Sequence, residues 1–73
     1  MDEARLRVDT LTQLKSRVLR RLGNRVYGLE ITYEDDGLVL RGLAMTYHAK
    51  QLAQHAVMEA VDVPIRANEI EVV

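Results

Sequence analysis

The chain has 73 residues, of which 48% are apolar and 29% are charged, and its formal net charge is −1. This length allows one small domain and not two, and the many aliphatic residues at low net charge exclude an intrinsically disordered chain. No run approaches the 18 or so consecutive apolar residues of a membrane span. Because the chain has no cysteine, disulfides and cysteine-based zinc sites are excluded as well. We therefore treat residues 1–73 as a single domain.

The first predicted element is a helix over residues 4–22. Apolar side chains recur there at spacings of three and four, which places them in one stripe on a helix surface. The helix is expected to end at Gly23 and Asn24, because both residues tolerate the left-handed conformation. The predicted apolar stripe contains Val8, Leu11, Leu14, Val18 and Leu22.

Basic residues are concentrated in the first third of the chain. Residues 1–25 carry seven basic and three acidic side chains, a net charge of +4, whereas residues 26–73 carry three basic and eight acidic ones, a net charge of −5. Two interpretations remain open: a solvated helix face with arginines paired to acids elsewhere, or a contact for an anionic partner. The cluster at the end of the predicted helix contains Arg17, Arg20, Arg21 and Arg25.

Alternating apolar and polar residues predict a strand over residues 26–34, followed by a hairpin and a second strand. We place a two-residue turn at Asp36 and Gly37, since Asp-Gly favours the positive φ angles of a tight hairpin. Tyr33 is then expected to pair with Leu40. A three-residue loop would turn the apolar set towards solvent, so we favour the shorter loop.

This register assigns the strand residues to two faces. Two branched side chains, Val39 and Leu43, fall on the outer face among polar residues. They are either ordinary surface residues or the centre of a contact with a protein partner or a second copy of the chain. The predicted inner face contains Leu29, Ile31, Tyr33, Leu40, Gly42 and Ala44.

A second helix is predicted over residues 46–61, with Thr46 as its N-cap and Pro64 ending the segment. Its inner stripe is rich in alanine, so the helix should lie close to the sheet. We expect Gly42 to permit that close approach. The stripe contains Ala49, Leu52, Ala53, Ala56, Val57 and Ala60.

A third strand is predicted over residues 68–73, with Ile70 and Val72 turned inward. The order αββαβ then gives an α+β fold, a two-layer sandwich with two helices on one face of a three-stranded mixed sheet. The first two strands are antiparallel, and the third, which arrives after a helical crossover, runs parallel to the second. The sequence leaves open whether the third strand lies beside the first strand or the second.

No group of residues predicts catalysis. His48 and Glu59 would lie about 16 Å apart along a helix, so these two residues and His55 cannot share one metal ion. The turn preference of aspartate explains Asp35 and Asp36. We therefore expect a protein that is not an enzyme, with no catalytic residue, metal or cofactor.

Nucleic acid is disfavoured as a partner. The arginine cluster suits phosphate contacts, but side chains that stack on bases are few. The chain has no Trp or Phe, and two of its three tyrosines, Tyr27 and Tyr33, are expected to face the core. The acidic outer sheet face would also repel a nucleic-acid backbone. A small RNA-binding module is therefore only the third interpretation of this sequence.

The run Asp-Gly-Leu-Val-Leu-Arg-Gly-Leu, which begins at Asp36, resembles the core motif of BON domains (bacterial OsmY and nodulation type). The alanine-rich helix and Asn68 before the last strand continue the likeness, which covers residues 10–73. Asp62 stands where the family has glycine, and Arg66 where it has valine. The residues that carry the signature are Asp36, Gly37, Gly42 and Asn68.

The resemblance implies an αββαβ binding module without enzymatic activity, most often associated with phospholipid or membranes in the cell envelope, and in some members with proteins. Anionic lipid would meet the arginine cluster, and a protein partner or a second copy would meet Val39 and Leu43. The chain opens without a secretory signal. We therefore expect a cytoplasmic protein as the chain stands, and a protein of the cell envelope if the chain is part of a longer precursor.

Overall fold

The structure is a computed structural model that describes residues 8–73, with side chains from residue 10 onward. The predicted helical residues 4–7 lie outside this range. Residues 8–73 form two helices and four strands, and a short 3₁₀ turn follows the first helix. The elements are α1 (Val8–Leu22), the 3₁₀ turn (Gly23–Arg25), β1 (Val26–Glu34), β2 (Gly37–Ala44), α2 (Tyr47–Ala60), β3 (Ile65–Asn68) and β4 (Glu71–Val72).

The predicted two-layer α+β fold is confirmed. Strand β2 lies in the middle of a mixed sheet, antiparallel to β1 on one side and parallel to β3 and β4 on the other. The structure thus answers the open question of the third strand, which lies beside the second. Helices α1 and α2 pack on one face and enclose the core with the sheet. The buried core contains Leu14, Val18, Leu22, Val26, Leu29, Ile31, Leu38, Leu40, Ala44, Ala49, Ala53, Ala56, Val57 and Ile70.

The second helix begins where the sequence predicts. Thr46 is its N-cap, and its hydroxyl oxygen accepts a hydrogen bond from the backbone N–H of Ala49 at 3.0 Å. This bond satisfies one of the amide groups that a helix leaves unpaired at its start. Small alanine side chains line the buried face of α2, so the helix backbone lies close to the sheet.

The hairpin turn lies one residue earlier than predicted. Asp35 and Asp36 form the two-residue loop with φ angles of 50° and 67°, and Gly37 already pairs with Glu34 in the sheet. Aspartate tolerates this left-handed conformation, so the turn does not need a glycine. Gly37 meets a different requirement. A Cβ atom there would lie 2.8 Å from Cβ of Arg66, because β3 passes close by.

The corrected turn shifts the strand register. Ile31 pairs with Leu40, rather than Tyr33 as predicted. The shift moves the β1 partner of each β2 residue by two positions, and side chains alternate between faces with a period of two. The residues on the inner and outer faces of β2 are therefore unchanged. Tyr33 lies at the hairpin end of the edge strand and is 39% exposed, so the prediction that it faces the core is wrong.

A bulge interrupts β1 near its start. The register shifts between Tyr27 and Glu30, so Gly28 and Leu29 together stand opposite Gly42. Gly28 has a φ of 62°, as expected for a bulge that uses a glycine. The extra residue reverses the alternation of side chains. Tyr27 therefore faces outward with 51% of its surface exposed, which corrects its predicted inward position.

The bulge also explains Gly42. This residue has a φ of 153°, and a Cβ atom on it would lie 3.0 Å from the carbonyl oxygen of Tyr27. The close neighbour of Gly42 is therefore the backbone of β1. The prediction that Gly42 makes room for the second helix is wrong.

The third predicted strand is divided into β3 and β4, and it begins three residues earlier than expected. Pro64 lies directly before β3, and its carbonyl oxygen accepts from the Leu38 N–H at 2.9 Å. Ile70 is buried as predicted, whereas Val72 is 44% exposed and does not face the core. The side-chain oxygen of Asn68 accepts from the backbone N–H of Ile70 at 3.2 Å, which stabilises the break between the two strands.

Candidate functional site

Three of the four predicted arginines line one groove between the two helices, which we call the basic groove. Arg17, Arg20 and Arg21 lie on α1, and all three are exposed. Across the groove, α2 contributes Glu59 and two alanines. These alanines are small enough to leave the guanidinium groups accessible. The groove is therefore a basic concavity with a volume of about 320 Å³. The lining residues are Arg17, Arg20, Arg21, Ala56, Glu59 and Ala60.

One carboxylate partly neutralises the basic groove. The guanidinium of Arg21 donates to the carboxylate of Glu59. Within residues 10–73, Arg17 and Arg20 form no ion pair, so two full positive charges remain available to a ligand. The first interpretation therefore applies to Arg21, which is paired with an acid. Contact with an anionic partner stays a prediction for Arg17 and Arg20.

The fourth predicted arginine does not line the groove. Arg25 is exposed in the 3₁₀ turn that follows α1, and its carbonyl oxygen accepts from the backbone N–H of Met45 at 3.1 Å. Lys15 is also separate, since its ammonium lies 3.5 Å from the carboxylate of Glu30 beside the edge strand. No aromatic side chain of the described chain lines the groove, so it holds no platform on which a base could stack.

Of the two residues of the predicted partner face, only one is exposed. Leu43 is 43% exposed on the outer sheet face, as expected. Val39 is only 1% exposed, so its predicted availability to a partner is wrong. It lies between Thr32 and Ala67 on the neighbouring strands, and Arg41 donates to Thr32 at 3.5 Å. Sequence alternation alone could not reveal that β2 is the central strand, with a neighbour on each side of Val39.

Arg41 is the centre of an ion-pair network on the outer face. Its guanidinium lies 3.0 Å from the carboxylate of Glu34 and 3.1 Å from that of Glu69. The hydrogen bond from Arg41, and then that from Thr32, holds the pKa of Glu34 below its usual value. In turn the hydrogen bond to Glu34 raises the pKa of Arg41. The network connects β1, β2 and the segment between β3 and β4, but it is solvent-exposed, so its energetic contribution is small.

The sequence analysis missed a second concave surface, which we call the glycine recess. It is an open depression of about 620 Å³ on the outer face, where Gly28 and Gly42 lie opposite each other and leave the backbone uncovered. An isolated glycine inside an alternating strand is a known signal for a bulge, and Gly28 carried that signal. The recess is lined by Tyr27, Gly28, Arg41, Gly42, Leu43, Glu69 and Glu71.

Each of the four signature residues has a role in the fold. Asp36 lies in the turn, Gly37 allows β3 to approach, and Gly42 faces the bulge. The Asn68 amide donates to the backbone carbonyl of Lys50 at 3.0 Å and to Gln54 at 3.3 Å, which ties β3 to α2.

The described residues contain neither a metal-binding cluster nor a membrane-spanning helix. Among the side chains of residues 10–73, no three His, Asp or Glu lie close enough together to hold a metal ion. Over the same residues, neither helix has the length and hydropathy that crossing a bilayer requires. No protein-family model, curated protein or solved structure matches this sequence.

Proposed function

We propose that this chain is a non-catalytic binding module of the BON type that associates with anionic phospholipid surfaces through the basic groove. The observation that carries the proposal is that Arg17 and Arg20, which form no ion pair within residues 10–73, lie beside Arg21 on one exposed helix surface. Guanidinium groups bind phosphate oxygens through paired hydrogen bonds, which suits a phospholipid headgroup.

The charge distribution supports a surface contact. The basic groove lies in the helical layer, whereas acidic side chains surround Arg41 on the opposite sheet face. A negatively charged membrane would therefore attract one layer and repel the other, which orients the domain. Each arginine near an anionic bilayer contributes about 1 kcal/mol, so Arg17 and Arg20 together give weak, reversible and salt-sensitive binding.

Charge reversal tests this proposal. We expect Arg20→Glu to lower the partition of the protein onto vesicles of phosphatidylglycerol and phosphatidylcholine by about tenfold or more, since it both removes and inverts one charge. Co-sedimentation of protein with vesicles at low ionic strength measures the partition. Binding to pure phosphatidylcholine vesicles should be negligible for both proteins.

A matched control uses an arginine outside the groove. Arg66→Glu makes the same change in net charge, but Arg66 pairs with Asp35 at the hairpin end of the sheet. This variant should keep most of the binding of the unaltered protein. Equal loss in both variants would mean that only net charge matters, and no loss in Arg20→Glu would refute a role for the groove.

A further inference from the structure

Arg17 and Arg20 are placed so that both can reach one ligand. They lie three residues apart on α1, which makes them neighbours on the same face of the helix. Both side chains are exposed, and both line the basic groove, which has a volume of about 320 Å³. Two guanidinium groups beside one small concavity favour a single ligand that offers several acceptor oxygens.

The ion pair in the groove sets the charge that a ligand meets. Glu59 accepts from the guanidinium of Arg21, so these two side chains largely cancel each other's charge. Arg17 and Arg20 form no ion pair within residues 10–73. The charge of the groove therefore matches that of a dianion.

The rest of the groove adds no recognition of a base or a sugar. Ala56 and Ala60 are apolar, and no aromatic side chain is among the described residues that line the groove. The one carboxylate there, that of Glu59, already accepts from Arg21. The group that the groove recognises is therefore the anion itself.

Phosphate esters of two kinds differ in charge and in free oxygens. A phosphomonoester carries a charge of about −1.5 to −2 at about pH 7 and has three terminal oxygens. A phosphodiester carries a single charge and has only two free oxygens, because the other two are esterified. A guanidinium that binds as a bidentate fork uses two oxygens. A phosphodiester therefore suits one arginine, whereas a phosphomonoester suits two.

We propose that the basic groove binds a phosphomonoester in preference to a phosphodiester, with Arg17 and Arg20 holding one phosphate group between them. This inference rests on the proposed function, because it names the headgroup that the groove selects. Among phospholipids, phosphatidic acid is a phosphomonoester and phosphatidylglycerol is a phosphodiester. A phosphomonoester free in solution has the same chemistry, so vesicles and a soluble ester are both needed to separate the two sources.

Partition onto two kinds of vesicle tests the inference. Phosphatidylcholine vesicles contain either phosphatidic acid or phosphatidylglycerol, in proportions that give both kinds the same electrophoretic mobility. Attraction by the surface potential is then equal, so a difference in partition reports recognition of the headgroup. At about pH 7.4 the unaltered protein should bind the phosphatidic acid vesicles about fivefold or more tighter, because a second guanidinium bonds to the same phosphate.

Removal of one guanidinium should abolish the preference. In Arg17→Gln, the ratio of the two partition coefficients should fall to about one, since the single remaining guanidinium, that of Arg20, suits both esters. Arg25→Gln is the matched control, because Arg25 is exposed in the 3₁₀ turn and does not line the groove. This variant makes the same change in net charge and should keep the preference.

Methyl phosphate and dimethyl phosphate give the same comparison without a bilayer. They are a phosphomonoester and a phosphodiester that differ by one methyl group. NMR of the arginine Nε–Hε groups follows their binding. Methyl phosphate should shift the signals of Arg17 and Arg20 at concentrations about fivefold or more lower than dimethyl phosphate does.

The outcomes separate this inference from the proposed function. Binding to both kinds of vesicle without a preference would overturn the inference and leave the proposed function intact. A preference that persists in Arg17→Gln, or that Arg25→Gln removes equally, would also overturn it. Preference for methyl phosphate by a protein that binds neither kind of vesicle would support phosphomonoester recognition, assign the ligand to solution and refute the proposed function. Binding of neither vesicles nor methyl phosphate would refute both.

Discussion

Gly42 shows how the conformation of one residue determines the local structure of the sheet. Its φ of 153° is rarely adopted by other residues, and its α-carbon lies against the backbone of the β1 bulge. The family likeness rests in part on this residue. The close contact with the β1 backbone explains why position 42 needs a glycine, without any direct role for Gly42 in binding. Gly42 also lines the glycine recess.

Gly42→Ala should therefore destabilise the protein strongly. The new Cβ atom would lie 3.0 Å from the Tyr27 carbonyl oxygen, in a strained conformation, and we expect a loss of about 2–4 kcal/mol in the free energy of unfolding. Urea unfolding measures this loss. Gly23→Ala is the control, since Gly23 has positive φ but open space around it, and should cost about 1 kcal/mol. Equal losses would contradict the steric explanation.

Glu34 provides a test by pH. Its pKa is lowered chiefly by the hydrogen bond from Arg41, and also by that from Thr32. A carboxyl group with a lowered native pKa stabilises the fold above its unfolded pKa of about 4.3, and this contribution is lost as the pH falls through the native pKa. Carbon-detected NMR titration should place the pKa of Glu34 below that of an exposed glutamate. In Arg41→Gln it should return towards the usual value, and an unchanged pKa would exclude Arg41 as the main cause.

At the scale of elements, amphipathic patterns predict the helices and strands well, but they do not predict irregularities of the backbone. The end of α1, the start of α2 and the extent of β1 follow from apolar spacing and capping residues. The turn was displaced by one residue because Asp35, Asp36 and Gly37 all tolerate turn conformations. Which pair forms the loop depends on β3, whose approach requires a glycine at position 37. That contact is long-range and invisible in local sequence.

The position of the turn can be tested directly. Asp35 has a φ of 50°, so Asp35→Gly should leave stability unchanged or raise it by up to about 1 kcal/mol. The variant also loses the exposed ion pair with Arg66, which contributes little to stability. Making the same substitution in an Arg66→Gln background removes this contribution from the comparison. If Asp35 were instead an ordinary strand residue, glycine would destabilise the protein. A loss of about 1 kcal/mol in both backgrounds would therefore contradict the assigned turn.

At the scale of the whole molecule, the two layers present different chemistry. Helices carry the basic groove, and the sheet carries an ion-pair network with the glycine recess beside it. Sequence reasoning found the arginines because charge is visible in composition. It could not find the groove that three of them line, since that depends on α2 lying beside α1 and on Glu59 engaging Arg21. It also missed the recess, which arises from two glycines that meet only after the strands pair.

The most direct measurement is an amide NMR titration of the protein with anionic and with zwitterionic vesicles, at low and high salt. We expect signals of residues 15–25, and of α2 near Glu59, to broaden with anionic vesicles only and to recover when salt is added. Signals around Gly42 should be unaffected. Equal broadening with both vesicle types, no broadening with either, or broadening centred on the outer sheet face would contradict the assignment of membrane binding to the basic groove.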